Sequence, residues 1–367
     1  MVGGGSGGHF YPLIAVAQEL YENPEQPELI YYGPEPYNAD LLRTYKIRFS
    51  RIPAGKVRRY FSLYNITDAG KTAWGFLVAL VKLYWHYPDV ILTRGSYASV
   101  PVVLAAWFYR IPVVVQESDV KPGRANRLAG RFAQYVATAW VPTAEYFAAD
   151  RVALTGIPIR RELKTQITDP HSLLGIPEDL PLLYVTGGSL GAERINTLIL
   201  NSLDELLPYI RIYHQAGDMH AEQVRHTARE LLKDRPELLE RYYVVGTADA
   251  PTIHALLAAA SLVITRAGTT TLYEIALHNK PSIVIPIPED VSHDQRTNAY
   301  TYARNGAAMV IEERNLTEHL LQTQVLSILG DVTAYQDMQA ATANIASADA
   351  AVTISNVLMQ IGHEHGS

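Results

Sequence analysis

Two stretches of this chain repeat one another's pattern, and that duplication limits the possible folds more than any other feature. Residues 91–117 read ILTRGSYASVPVVLAAWFYRIPVVVQE, and residues 263–289 read VITRAGTTTLYEIALHNKPSIVIPIPE. Each runs from an apolar β-type segment through Thr-Arg and a Gly into a Ser/Thr-rich turn. A helical stretch, a Pro, a second apolar run and an acid follow. Each is also preceded by a Gly-rich turn opening a helix pattern, GGGSGGHFYPLIAVAQEL from Gly3 and TGGSLGAERINTLIL from Thr186. The pattern predicts two similar α/β halves whose helix N-terminal loops face one cleft. That geometry suits an elongated, phosphate-bearing substrate.

Within each half, short β-rich runs alternate with helices, which predicts parallel, doubly wound sheets. Residues 29–32 and 113–116 read as buried strands, and residues 13–21, 73–85 and 100–109 as helices. The Pro-rich, polar segment 151–181 carries the boundary, giving domains 1–155 and 156–340. The helical stretch 334–361 is long for one domain, so residues 341–367 are expected to fold back on the first half and end in an irregular GHEHGS tail. The 367 residues leave room for two cores. A Gly-rich turn of this kind normally follows a strand, yet only Met1 and Val2 precede it. The first strand therefore reads as truncated, or the start as misassigned.

With 48% hydrophobic and 19% charged residues the chain is not a disordered one. A net charge of −6 argues against nucleic acid as a partner. The absence of cysteine excludes disulfides, thiolate zinc sites, iron–sulfur clusters and a Cys nucleophile. No signal-peptide pattern is visible. The longest apolar run, residues 73–85, is interrupted by Lys82 and is shorter than the roughly 20 residues that span a bilayer.

Gly3, Gly5 and Gly8 satisfy G-x-G-x-x-G, alone a weak signal equally compatible with a ligand-free turn. His9 follows the last glycine in the first helical turn, where a neutral imidazole is placed to remove a proton. In TGGSLGA, Gly187, Gly188 and Gly191 let backbone N–H groups approach a phosphate, and Ser189 adds a hydroxyl. No Lys-Ser/Thr pair follows, so this is not a nucleoside-triphosphatase loop. Arg266 and the turn after it lead to Glu274, which is either a solvated helix residue or, as favoured here, the acceptor of ribose hydroxyls. Glu117-Ser118-Asp119 ends a strand at the ligand-binding edge, and can equally cap the next helix. Lys56, Arg58, Arg59, Lys71 and Lys82, with Trp74, Phe76, Leu77, Leu80, Leu83 and Trp85, make a basic–aromatic region. It reads either as a buried helix face or as a contact with an anionic bilayer.

Together these motifs resemble the MurG family, and the resemblance covers nearly the whole chain. Gly4-Gly5-Ser6-Gly7-Gly8-His9 looks like that family's GGTGGH, residues 114–128 like its HEQN region, and residues 187–192 like GGSQGA. RAGTTTLYE from Arg266 and Asp294-Gln295 with Asn298-Ala299 match its donor signature. The resemblance implies a GT-B fold of two Rossmann-like domains with a cleft between them. It implies GlcNAc transfer from UDP-GlcNAc to lipid I, the undecaprenyl-linked muramyl-pentapeptide, giving lipid II.

The first half would accept lipid I through Ser6, Gly7, Gly8 and His9, with Asp119 and Asn126 nearby. The second would hold UDP-GlcNAc. There Gly188, Ser189 and Gly191 would lie on the diphosphate, Arg160 near the nucleotide, Ala250 beside uracil and Glu274 on ribose. Arg266, Gly268, Thr269, Thr270, Thr271 and Leu272 would form the donor turn, and Gln295 would reach the sugar.

The expected chemistry is one inverting displacement, with His9 as base and Glu117 assisting. The absence of an acidic pair beside the donor loop makes a metal or other cofactor unnecessary. The resemblance further implies a peripheral enzyme on the cytoplasmic face of the plasma membrane, in contact with anionic lipid and other cell-wall synthesis proteins. The chain departs from the family at Asp119 (usually Asn), at Ile157 (Asn in GNPVR) and at Gly95-Ser96-Tyr97 (usually GGY). A transferase for another lipid acceptor and an inactive nucleotide-sugar scaffold are the alternative readings.

Overall fold

The computed structural model describes residues 1–4, 7–55, 64–188, 192–289, 295–346 and 349–366. The chain divides into two compact units, Met1–Arg161 with Ser347–Ser367, and Glu162–Ala346.

The first unit is built on parallel strands β1 (Ile30–Gly33), β2 (Arg48–Arg51), β3 (Ile91–Thr93), β4 (Val113–Glu117), β5 (Tyr135–Thr138) and β6 (Val152–Leu154). β1 pairs with β2, and β3 to β6 pair in sequence order. Val2 joins the two sets, forming parallel bridges to both Tyr32 and Thr93. Its N–H donates to Leu92 O at 2.8 Å, and the Tyr32 N–H donates to Met1 O at 2.9 Å. One fully buried residue thus does the work of the short first strand.

Side chains alternate across the pleat. Ile91, Val113 and Val115 pack with Ala79, Leu83, Val102 and Ala106, from helices Tyr64–His86 and Ser99–Tyr109. Leu92 and Val114 pack on the opposite face with Phe10, Leu13 and Ile14 of helix Gly7–Tyr21, and with Ile354, Leu358 and Ile361 of helix Ala350–Gly366. Burial on both faces explains why these strands read as unbroken apolar runs. Each such Leu or Ile contributes about 1.5–3 kcal/mol.

The second unit holds β7 (Leu182–Thr186), β8 (Arg211–Gln215), β9 (Tyr242–Val245), β10 (Leu262–Thr265), β11 (Ser282–Val284) and β12 (Ala308–Val310). They are all parallel, in the order β12-β11-β10-β7-β8-β9. The strand order reverses between β7 and β10, where Thr186 and Thr265 pair in register. The first unit reverses between β1 and β3, at Val2. Both reversal points are topological switch points, where open α/β sheets take their ligands.

The helical stretch 334–361 is not one element. Helix Val332–Thr342 belongs to the second unit and Ala350–Gly366 to the first. Nor does GHEHGS form an irregular tail, since the helix continues to Gly366. Its last turn has tertiary partners: His363 Nε2 lies 2.7 Å from Glu25, and the His365 ring stacks on Tyr87.

Candidate active site

The duplicated turns occupy the two switch points. In the first unit, the turn after Val2 leads into helix Gly7–Tyr21 beside the turn that follows β3. Gly7 is half-buried and Gly8 exposed, whereas Ser6 lies outside the described residues. His9 is half-buried in the first helical turn. Burial, reinforced by the Arg94 charge, lowers its pKa to about 4, against opposing influences from Asp119 and the Arg94 carbonyl. The imidazole is therefore neutral at neutral pH, with burial rather than the helix terminus as the main cause.

Glu117 ends β4 and is only 3% exposed. Its Oε1 accepts the Asp119 N–H at 2.9 Å, and its Oε2 accepts Asn126 Nδ2 at 2.8 Å. Burial, with the neighbouring Asp119 charge, raises its pKa, while those two hydrogen bonds and Arg94 pull the other way. Exposure separates the two candidates, since His9 is half-buried and Glu117 is fully enclosed. Asp119 is half-buried. Asn126, expected to touch substrate, is buried at 4% and positions Glu117 instead. Ile157 is fully buried, so this departure from the family motif packs in the core and touches no ligand.

Arg160 belongs to the first unit rather than to a half beginning at 156. Its guanidinium lies 4.2 Å from the centre of the Tyr11 ring, on helix Gly7–Tyr21. The residue missed by sequence reasoning is Arg94, in the turn after β3, which the cluster of His9, Glu117 and Asp119 surrounds electrostatically. The signal was present: Thr93-Arg94-Gly95 repeats the Thr265-Arg266 step, and only the second copy was singled out.

In the second unit β7 runs into Gly187 and Gly188. Gly188 has φ +84°, and its N–H donates to Thr186 Oγ1 at 3.2 Å. A residue with a Cβ is strained in that left-handed conformation. Ser189 and Gly191 lie outside the described residues, as do Asp294 and residues 56–61 of the basic–aromatic region.

Beside this turn Gly268 caps helix Thr269–Leu277 with no side-chain hydrogen bond. Thr269 is buried and accepts from Asn298 Nδ2 at 3.1 Å, while Thr270, Thr271 and Glu274 are half-buried. Leu272 is fully buried, so only its backbone is available. Glu274 lies close enough to the buried Tyr184 for its charge to be felt there.

Two expected donor contacts are already engaged. Arg266 donates to Ile285 O at 3.2 Å and to Pro286 O, and pairs with Glu313 at 2.5 Å, so it clamps the turn after β11. Gln295 Oε1 accepts the N–H groups of Ala267 and Ile287, both at 3.2 Å, bracing the same turns. Ala250 is half-buried at the start of helix Ala250–Ala259, which Asp249 caps through Thr252 N–H at 2.9 Å.

Comparison with known proteins defines the class first. Residues 1–138 match the model of the glycosyltransferase family 28 N-terminal domain, and residues 182–354 that of its C-terminal domain. The solved structures most like this chain include Acinetobacter baumannii MurG, with a TM-score of 0.73 and 21% identity over 98% of each chain. Neisseria meningitidis UDP-GlcNAc 2-epimerase bound to UDP-GlcNAc gives 0.70 and 15%, over 95% of this chain and 96% of that one. These likenesses establish the GT-B fold of two Rossmann-like units.

Among curated relatives, the UDP-N-acetylglucosamine–N-acetylmuramyl-(pentapeptide) pyrophosphoryl-undecaprenol N-acetylglucosamine transferase of Shouchella clausii is 38% identical over 326 residues, 88% of either chain. The same-named enzyme of Treponema denticola is 34% identical over 84% of this chain and 82% of that one. The chain belongs to this family of transferases, and is an enzyme of the hexosyl-transferring kind.

Proposed function

We propose that this chain transfers GlcNAc from UDP-GlcNAc to the C4 hydroxyl of the muramyl sugar in lipid I, forming lipid II for peptidoglycan. The observation that carries the reading is the 38% identity, over 88% of either chain, to a relative named for this reaction. The second unit holds the donor, with Glu274 on the ribose and the Gly188–Gly191 and Gly268–Leu272 turns on the diphosphate. The first unit holds the acceptor.

The acceptor oxygen attacks the sugar C1 as the bond from C1 to the UDP oxygen breaks, inverting the anomeric centre. The acceptor's proton passes to His9, which Glu117 and its neighbours orient. Backbone amides and the helix dipole stabilise the charge that collects on departing UDP. The scheme uses no metal and no cofactor.

Membrane contact is part of the proposal. Trp74, Leu77, Val81, Tyr84 and Trp85 form an exposed stripe at helical spacing on helix Tyr64–His86, while Ala79 and Leu83 face the core. Trp107 and Phe108 are exposed on the adjacent helix Ser99–Tyr109. Such a stripe suits the headgroup level of an anionic membrane on the cytoplasmic face. Among the described residues no helix is long and apolar enough to cross a bilayer. Lys82 does not flank the stripe as expected, because it donates inward to Ser50 Oγ and Arg51 O at 2.9 and 2.8 Å.

Incubation with UDP-GlcNAc and a lipid I analogue tests the reaction. The product should gain one N-acetylhexosamine in mass with β configuration at the new bond, and an unchanged acceptor mass would overturn the reading.

A further inference from the structure

Beyond β3 the chain turns sharply through Gly95 and Ser96, whose φ values are +81° and +70°. The Gly95 N–H donates to Thr93 Oγ1 at 3.1 Å, and a Cβ at Gly95 would meet Asn126 Oδ1 at 2.5 Å. Glycine is thus required there twice over, by backbone conformation and by space. The turn leaves Arg94 buried at 3% exposure, with Nε and Nη1 lacking a hydrogen-bond partner among the described residues. Burying a guanidinium with unmet donors costs several kcal/mol, so stability does not account for it. At that exposure no substrate reaches the two nitrogens. Whatever Arg94 does, it does through its neighbours.

Those neighbours are the groups assigned to proton transfer. The Arg94 carbonyl favours the protonated form of the His9 ring and accepts from Asn126 Nδ2 at 3.4 Å. The same Asn126 amide holds Glu117 Oε2. The charged groups facing this cluster are Arg94 beyond β3, with Glu117 and Asp119 at the end of β4. Asn126, neutral, comes from helix Arg124–Gly130, and His9 from helix Gly7–Tyr21.

We propose that Arg94 is a positioning residue for the acceptor side of the reaction: a fixed positive charge, buried beside His9 and Glu117, that helps hold His9 ready for the acceptor's proton and keeps charge on the Glu117 carboxylate behind it. The direction of its influence agrees, since it disfavours protonation of His9 and of Glu117 alike, secondary to burial in each case. The inference rests on the His9 assignment above.

The test is kcat as a function of pH for the parent enzyme, Arg94→Met and Arg94→Lys, with UDP affinity as a check on the donor unit. Removing the charge should move the acid limb upward by about one pH unit, so that kcat falls most on the acid side and little at neutral pH, while Lys should leave the limb in place. UDP affinity should be unchanged in both. Arg94→Gln carries the same test where the Met variant does not fold. An acid limb unmoved in the Met or Gln variant, or moved equally by Lys, overturns the inference. His9→Ala is run alongside. Parental turnover there removes the His9 assignment itself, whereas an inactive His9→Ala with an unmoved Arg94→Met limb removes only the role of Arg94.

Discussion

Asn126 holds Glu117 by a single buried hydrogen bond, Nδ2 to Oε2 at 2.8 Å. The other carboxylate oxygen is taken by the Asp119 N–H, so Glu117 has no freedom to turn toward a substrate. Replacing Asn126 with Leu removes a hydrogen bond to an ionisable group in the interior. The expected cost is about 1.5–3 kcal/mol of stability. Glu117 should also become harder to ionise, because that bond now favours its charged form. Urea unfolding at pH 7 and pH 5 checks both effects: the destabilisation should be larger at pH 7, and an equal loss at the two values would refute the coupling.

His9→Ala should reduce turnover by about 10²–10⁴-fold, the usual worth of a positioned base, with UDP binding nearly intact. In the parent, the imidazole is unprotonated above its lowered pKa of about 4. The part of the acid limb that belongs to His9 therefore lies below the ordinary histidine range. Initial rates from pH 4 to 8 locate it.

Glu274→Ala acts on the other substrate. The residue is half-buried on the helix that Gly268 begins. Loss of its ribose contacts should raise the KM for UDP-GlcNAc by about tenfold or more, with a smaller change in kcat. An unchanged donor KM counts against the ribose role.

His214 gives a stability prediction remote from chemistry. Fully buried on β8, it meets Tyr242 Oη at 2.7 Å and Asn196 Oδ1 at 3.0 Å, and burial lowers its pKa to about 3. A depressed histidine contributes stability that is complete above its unfolded value near 6.5 and is lost as pH falls toward the folded one. The parent should weaken between about pH 6.5 and 3 more steeply than His214→Gln, as followed by denaturant midpoints across that range.

The exposed aromatic stripe is tested by Trp74→Ser with Trp85→Ser, 60% and 77% exposed in the parent. Co-sedimentation with vesicles containing anionic lipid should fall several-fold, while UDP affinity and melting temperature hold. Equal sedimentation of variant and parent would remove the membrane surface from the proposal.

The sequence made the two sheets legible because strands covered on both faces are apolar without interruption, as Val113 to Val115 and Leu182 to Val185 are. Helix starts were less so. Periodicity begins the first helix at Leu13, after Pro12, but it starts at Gly7 and tolerates the proline within it. The site was legible in its residue types, while the distribution of roles was not. Asn126, Arg266 and Gln295 carry polar groups suited to a substrate, yet their partners are protein atoms brought close only by tertiary structure. Arg94 was overlooked for the converse reason, since an arginine near a strand end reads as solvated until the turn at Gly95 and Ser96 is seen to bury it.

The first unit takes its last helix, Ala350–Gly366, from the sequence that follows the second unit. Ile354, Leu358 and Ile361 complete the apolar layer over Phe10 and Leu13. During synthesis that layer stays uncovered until helix Ala350–Gly366 has emerged behind the second unit, whereas residues 162–346 emerge as one continuous block. The second unit can thus mature before its companion, which has to wait for a helix encoded behind it.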